Sequence, residues 1–121
     1  ENAMSISPGY YDFTIYQGAT FSRVLTWKDQ NNAAINLTGY SARLQVRTSQ
    51  DAAASFINLT TANGGIVLGG VAGKITLTIS DSDTAALTET SGVYDLELIS
   101  PTSIVTRLLQ GDVLISKEVT R

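Results

Sequence analysis

Apolar and polar residues alternate with period two along most of this chain, and helical periodicity is nearly absent. Near the start, "YDFTIY" places Tyr11, Phe13 and Ile15 on one face. Gln17-Gly18 turns the chain into "TFSRVLTW", where Phe21, Leu25 and Trp27 share a side with Arg23. After the polar loop "KDQNNAA" comes "INLTGYSARLQVR". There Tyr40, Ala42, Leu44 and Val46 alternate with Ser41, Arg43, Gln45 and Arg47. "SFINLT" resumes the pattern. "GGIVLGGVAGKITLTIS" then holds two short strands about a glycine turn, with Ile66 and Leu68 before it and Ile75, Leu77 and Ile79 after it. "SDSDTAALTE" predicts one helical turn capped by Asp81 or Asp83. "SGVYDLELIS" sets Tyr94, Leu96 and Leu98 opposite Asp95 and Glu97. A turn at Ser100–Ser103 leads to "IVTRLLQG", and "DVLISKEVT" closes the chain as a separate final strand.

About seven to nine short strands, with turns roughly every 8–12 residues, predict an all-β, antiparallel β-sandwich with one short helical turn. A small barrel of the same strands is the alternative. The tetrapeptide INLT occurs twice, at Ile35–Thr38 and at Ile57–Thr60. The residues after the two copies, "GYSARLQV" and "TANGGIVL", do not match. The chain is therefore not a repeat array, which needs self-similarity over a whole supersecondary unit. Both copies fit the N-x-[ST] glycan acceptor pattern, but neither a signal segment nor cysteines point to a secretory route. The copies read as two strands with Ile and Leu facing inward and Asn and Thr facing outward.

Composition narrows the function more than it specifies it. With 121 residues, 43% hydrophobic and only 16% charged, the chain has the apolar content for one packed core. "ENAM" reads as an expression remnant joined to Met4, the chain's one methionine, which leaves Met4–Arg121 as the single domain. A native N-terminus with an internal methionine is the other reading. The net charge of −3 supplies no basic footprint for nucleic acid. "GGIVLGGVAG" is too short and too glycine-rich to span a membrane. Cysteine and histidine are both absent, which removes disulfides, thiolate chemistry and the commonest base and metal ligand near neutral pH. No cofactor or metal site is expected.

The remaining candidate residues have structural readings. Asp95 and Glu97 lie two apart on one strand face, within the range of a glycosidase pair. Arg43 and Arg47 on another polar face explain them equally as a cross-strand charge ladder. Asp81 and Asp83 lack the ligand spacing of a calcium loop and fit helix capping better. Trp27 and Tyr40 sit on apolar faces and are expected in the core. Tyr10, Tyr11 and Tyr16 are candidates for an interface or a sugar-stacking platform. Tyr94, entering its strand after the bend at Gly92, resembles a tyrosine corner, whose hydroxyl bonds back to the preceding loop.

Three stretches, "YQGATFSRVLTWKDQNNAAINLTGYSARLQVR", "ISDSDTAALTETSGVYDLELISP" and "VTRLLQGDVLISKEVTR", taken in order, resemble a known group. They are similar to small immunoglobulin-like proteins of bacteriophage and prophage tails, such as the N-terminal domains of baseplate upper proteins. The matching positions are Gln17, Gly18 and Phe21, then Leu37, Thr38, Gly39, Tyr40 and Arg47. They continue through Thr84, Ala85, Ala86 and Leu87 to Gly92, Tyr94, Asp95, Leu96, Glu97 and Leu98, and end at Gly111. The resemblance implies an immunoglobulin-like sandwich without catalysis, made in the bacterial host cytoplasm and carried in the virion. It implies docking to other tail or baseplate proteins, or to further copies of itself, through strand edges and loops. A module that binds carbohydrate on the cell surface is the second reading, and an enzyme built on Asp95 and Glu97 is the third.

Overall fold

The computed structural model describes residues 4–6 and 9–120, and these form two facing β-sheets. Glu1–Ala3, expected to be an expression remnant, lie outside the described residues. The smaller sheet has the order β1 (Met4–Ile6), β4 (Phe21–Trp27), β8 (Lys74–Ile79), β7 (Ile66–Leu68). The larger has the order β2 (Gly9–Tyr10), β10 (Val105–Ser116), β9 (Ser91–Ile99), β5 (Ser41–Arg47), β6 (Ile57–Thr60), with β3 (Phe13–Tyr16) also on β10. β2 and β3 pair with β10 in one register, Gly9 with Leu109 and Phe13 with Val113, so they are one edge strand interrupted at Tyr11 and Asp12. The fold is a sandwich.

Alternation explains most of the layering. Ala42, Leu44 and Val46 of β5, Ile75, Leu77 and Ile79 of β8, and Tyr94, Leu96 and Leu98 of β9 are all buried between the sheets. The gap leaves a void of about 10 Å³, lined by Phe13, Leu44, Leu77 and Val113 among others. A space that small and apolar does not favour even one well-bonded water.

Several details differ from the pattern-based expectation. The sheets are mixed, because the N-terminal strands join in parallel, β1 on β4 and β2–β3 on β10. The chain's last stretches form one strand of 12 residues that runs through Gly111. A bulge between Arg107 and Leu109 buries both Leu108 and Leu109 and resets the alternation. The first INLT copy is a loop: the Asn36 side chain accepts from the Thr38 backbone N–H at 3.0 Å and from its hydroxyl at 2.7 Å. Leu37 is nonetheless buried, and its N–H bonds to the Gly70 carbonyl. The second copy is β6.

The helical turn α1 (Asp81–Ala85) is capped by Ser80, whose hydroxyl accepts from the Asp83 N–H; Asp81 and Asp83 lie in the first turn, where negative charge suits the helix dipole. Thr84 of this turn is fully buried. Its hydroxyl accepts from the Gly18 N–H at 3.1 Å and lies 2.9 Å from the Ala19 carbonyl. Gln17 reaches the same region, donating to Leu87 O and accepting from the Glu118 N–H. The Gln17-Gly18 turn is thereby tied to α1 and to the end of the chain. Replacing Thr84 by the isosteric Val strands these partners, and the expected loss is about 1–3 kcal/mol of stability. The check is the midpoint of urea unfolding, and a value equal to the parent's would refute this role for the hydroxyl.

Candidate interaction surface

The outer face of the larger sheet carries acidic, basic and amide side chains together. On β9 the residues between the buried positions are Val93, Asp95 and Glu97, and on β5 they are Arg43 and Gln45. Glu97 lies opposite Arg43 on one side and Arg107 on the other, while Asp95 lies between Gln45 and Gln110. Arg43 pairs with Glu97 at 2.7 Å and Arg107 approaches Asp95 at 3.6 Å. The expected charge ladder is present, with Arg107 in the place expected for Arg47. The Arg47 guanidinium turns aside to Gln45 and to the Ala52 carbonyl. These pairs are largely exposed, and pairs of that kind contribute about 0–1 kcal/mol each.

A shallow groove of about 570 Å³ runs along this face, lined by Tyr10, Arg47, Asp95, Arg107, Gln110 and Asp112 among others. Tyr10 stands at its rim and is 82% exposed. Further along the same face Leu114 and Tyr16 are also exposed, at 56% and 61%. Leu114 pairs with Thr14, two residues before Tyr16, which puts all three on the outside of β3 and β10. Among the described residues no group of three or more His, Cys, Asp or Glu side chains could hold a metal ion. None of the described helices is long and apolar enough to cross a membrane.

Tyr11 does not belong to this surface. It packs against the core, edge-on to Phe13 with ring centroids 5.0 Å apart. Its carbonyl accepts the Tyr94 hydroxyl at 2.5 Å. The Tyr94 bond therefore runs to the distant edge strand rather than to the loop before β9, so the expected local corner is replaced by a latch between strands. Three features hold the latch. Tyr94 stacks at a tilt on Phe13 with centroids 4.9 Å apart, the Asp12 carboxylate accepts from the Asp112 N–H, and Tyr11 N–H bonds to Gln110 O. Gly111 lies opposite Tyr94 on β10. A Cβ there would collide with Tyr11 O and lie 2.8 Å from the Asp12 carboxylate, so a glycine is required for this close approach. Burial, and after it the nearby Asp12 carboxylate and Tyr11, raise the Tyr94 hydroxyl well above the ordinary tyrosine range.

The other expected structural residues occupy tight or partly buried positions. Gly92 is buried, and an added Cβ would lie 2.7 Å from Arg47 O. Gly39 holds φ +83° in the turn before β5, close to Pro101. Trp27 is partly buried and meets Tyr40 edge-on at 6.3 Å. Sequence reading missed Arg107, Asp12, Asp112 and Leu114. Leu114 was detectable, because it lies out of phase with Val113 and Ile115. Asp12 and Asp112 are 100 residues apart, and no local pattern joins them.

No family model matches the chain, and no curated protein matches its sequence. Among solved structures it is similar to the N-terminal domain of phage TP901-1 ORF48, with a TM-score of 0.54 at 10% identity. The likeness covers 95% of this chain and 98% of that one. In all, 103 solved chains match, so the sandwich is common and by itself selects no activity.

Two outcomes are expected for Tyr94→Phe. Loss of the hydroxyl bond lowers stability by about 0.5–1.5 kcal/mol near neutral pH. In the parent, stability falls as pH rises past about 10, because the unfolded tyrosine releases its proton there while the folded one keeps it. The variant lacks that part of the decline. Urea unfolding across an alkaline pH series measures both, and parallel pH profiles for the two proteins would refute the latch.

Proposed function

We propose that this chain is a non-enzymatic structural protein of a phage or prophage virion, placed in the tail or baseplate and working by docking to other proteins. One observation carries the reading: the likeness to the N-terminal domain of a phage protein spans nearly the whole of both chains. The ordered motifs of the sequence support it. Gln17 and Gly18 of the first motif bond to Leu87 and Thr84 of the second, so the two motifs share one structural role. The strand order also supports an immunoglobulin-like arrangement, since β1-β4-β8-β7 and β10-β9-β5-β6 follow the ABED and GFCC′ orders of variable-type domains.

Docking is assigned to the outer face of the larger sheet. Exposed Tyr10 and Tyr16 are the anchors, because tyrosine is enriched among the few residues that carry most of an interface's energy, and exposed Leu114 adds apolar contact beside Tyr16. The flanking Arg43–Glu97 and Arg107–Asp95 pairs fix register and exclude wrong partners more than they add affinity. The partners are other tail or baseplate proteins, with further copies of this chain as the self-assembling version.

A carbohydrate-binding role is the second reading, favoured by one observation, the exposed Tyr10 beside a polar groove that includes Gln45, Gln50 and Gln110. Tyr10→Ala on a glycan array distinguishes the two, since saturable binding lost in the variant belongs to the sugar reading. The virion reading is tested on particles released after prophage induction. Antibody against the chain should label the tail in electron micrographs. Replacing Tyr16 by Ala and Leu114 by Ser should leave stability within about 0.5 kcal/mol, as for other surface changes, while removing the label from particles. Particles that lack the parent chain, with the chain recovered only from the lysate, would overturn the proposal.

A further inference from the structure

β6 ends the larger sheet, and half of its backbone polar groups point away from its neighbour. Leu59 and Leu44 are directly opposite, and Thr61 N–H bonds to Ala42 O, so the residues that bond inward are Leu59 and Thr61. Asn58 and Thr60, out of step with them, direct their N–H and C=O groups to the open edge. An edge of this kind is a template for another strand.

The side chain of Asn63, in the turn after β6, lies along that edge. Its Oδ1 accepts from the Thr60 N–H at 3.0 Å and from the Gly65 N–H at 2.9 Å. Its Nδ2 donates to the Asn58 carbonyl at 3.1 Å, and its own N–H bonds to the Thr60 hydroxyl at 2.9 Å. One carboxamide therefore takes both the outward acceptor and the outward donor that flank Leu59, the two groups that an added strand would bond through two of its own residues. We infer that Asn63 is a built-in plug that closes the β6 edge against strand addition, and that the occupant it excludes is β6 of a second copy of this chain.

The second copy is implied by the sequence of the edge. A two-fold axis beside Leu59 sets INLT antiparallel to INLT, with Asn58 opposite the partner's Thr60 and Leu59 opposite itself. Both strands keep Ile57 and Leu59 on the buried side and Asn58 on the exposed side, so the faces match without adjustment. Half of the backbone bonds in such a pair run from a Thr60 N–H to an Asn58 carbonyl. Those are the groups that Asn63 holds. The other margins are closed by different means. β7 is only 3 residues long, the β2–β3 edge is broken at Tyr11 and Asp12, and β1 covers β4. Short and interrupted edge strands recruit partners poorly.

The test compares the full-length parent with Asn63→Ala by sedimentation over a concentration series. The variant should self-associate more tightly, by about five- to tenfold for each backbone bond regained. Adding Thr60→Pro, which removes an N–H the ladder does not use, should return association to the parent's level. Asn63→Asp keeps the acceptor and should also stay at that level. Asn63→Ala that sediments like the parent, or extra association that survives Thr60→Pro, overturns the inference. Amide exchange in the parent decides the matter if the variant fails to fold. The Thr60 N–H should exchange as slowly as the ladder amides of β6, and exchange at the rate of an open amide refutes the plug.

Discussion

The structure depends on two apolar sheet faces that must cover each other. Leu96 and Leu98 of β9, and Ile75 and Leu77 of β8, have no exposed surface at all, and they belong to one continuous cluster. A chain without cysteine has no covalent staple to replace that burial. Most inward positions are therefore taken by aliphatic or aromatic residues, and Arg23, opposite the buried Leu77, lays its guanidinium over the Phe21 ring. Polar groups are displaced outward by the same alternation that builds the core. The outer face of the larger sheet thus carries Arg43, Asp95, Glu97 and Arg107 because the inner positions between them are taken by Leu44, Leu96 and Leu98.

The N-terminal edge strand is held by a second, more specific arrangement. A parallel strand cannot reach β10 through a hairpin, so it needs an anchor other than a tight turn. The Tyr94 hydroxyl supplies one by reaching over Gly111 to Tyr11 O, and Asp12 supplies another through Asp112 N. Both act at the place where the edge strand is interrupted. The interruption turns Tyr11 inward while Tyr10 remains outside, and one aromatic run is thereby divided between the core and the surface.

Strands with uninterrupted alternation were legible in the sequence. β5, β8 and β9 fell where Ala42–Val46, Ile75–Ile79 and Tyr94–Leu98 placed them. Errors arose where side-chain chemistry or an inserted residue broke the period. Asn36 bonds to Thr38 and converts the first INLT into a turn, although its apolar pattern equals that of β6. Leu108 and Leu109 are adjacent and both buried at the bulge, and with Gly111 they made one strand read as two. Ser80 displaced Asp81 as the cap because its hydroxyl reaches the Asp83 N–H. The ladder was anticipated on β5 and β9, but its third strand was hidden by the same bulge, and Arg107 was overlooked for Arg47.

Closed edges and an unclosed face divide the surface into parts with different duties. A backbone edge pairs with almost any extended strand, because its hydrogen bonds are indifferent to side chains. An assembly that must accept one partner gains from shutting such sites and reading side chains instead. Asn63 occupies the β6 edge, and the shortness of β7 limits the edge beside β8. Tyr10, Tyr16 and Leu114 lie outside the core, and no packing between the sheets constrains what they become. Selection can therefore alter those positions while the inward residues preserve the sandwich, which is how a fold persists at 10% sequence identity.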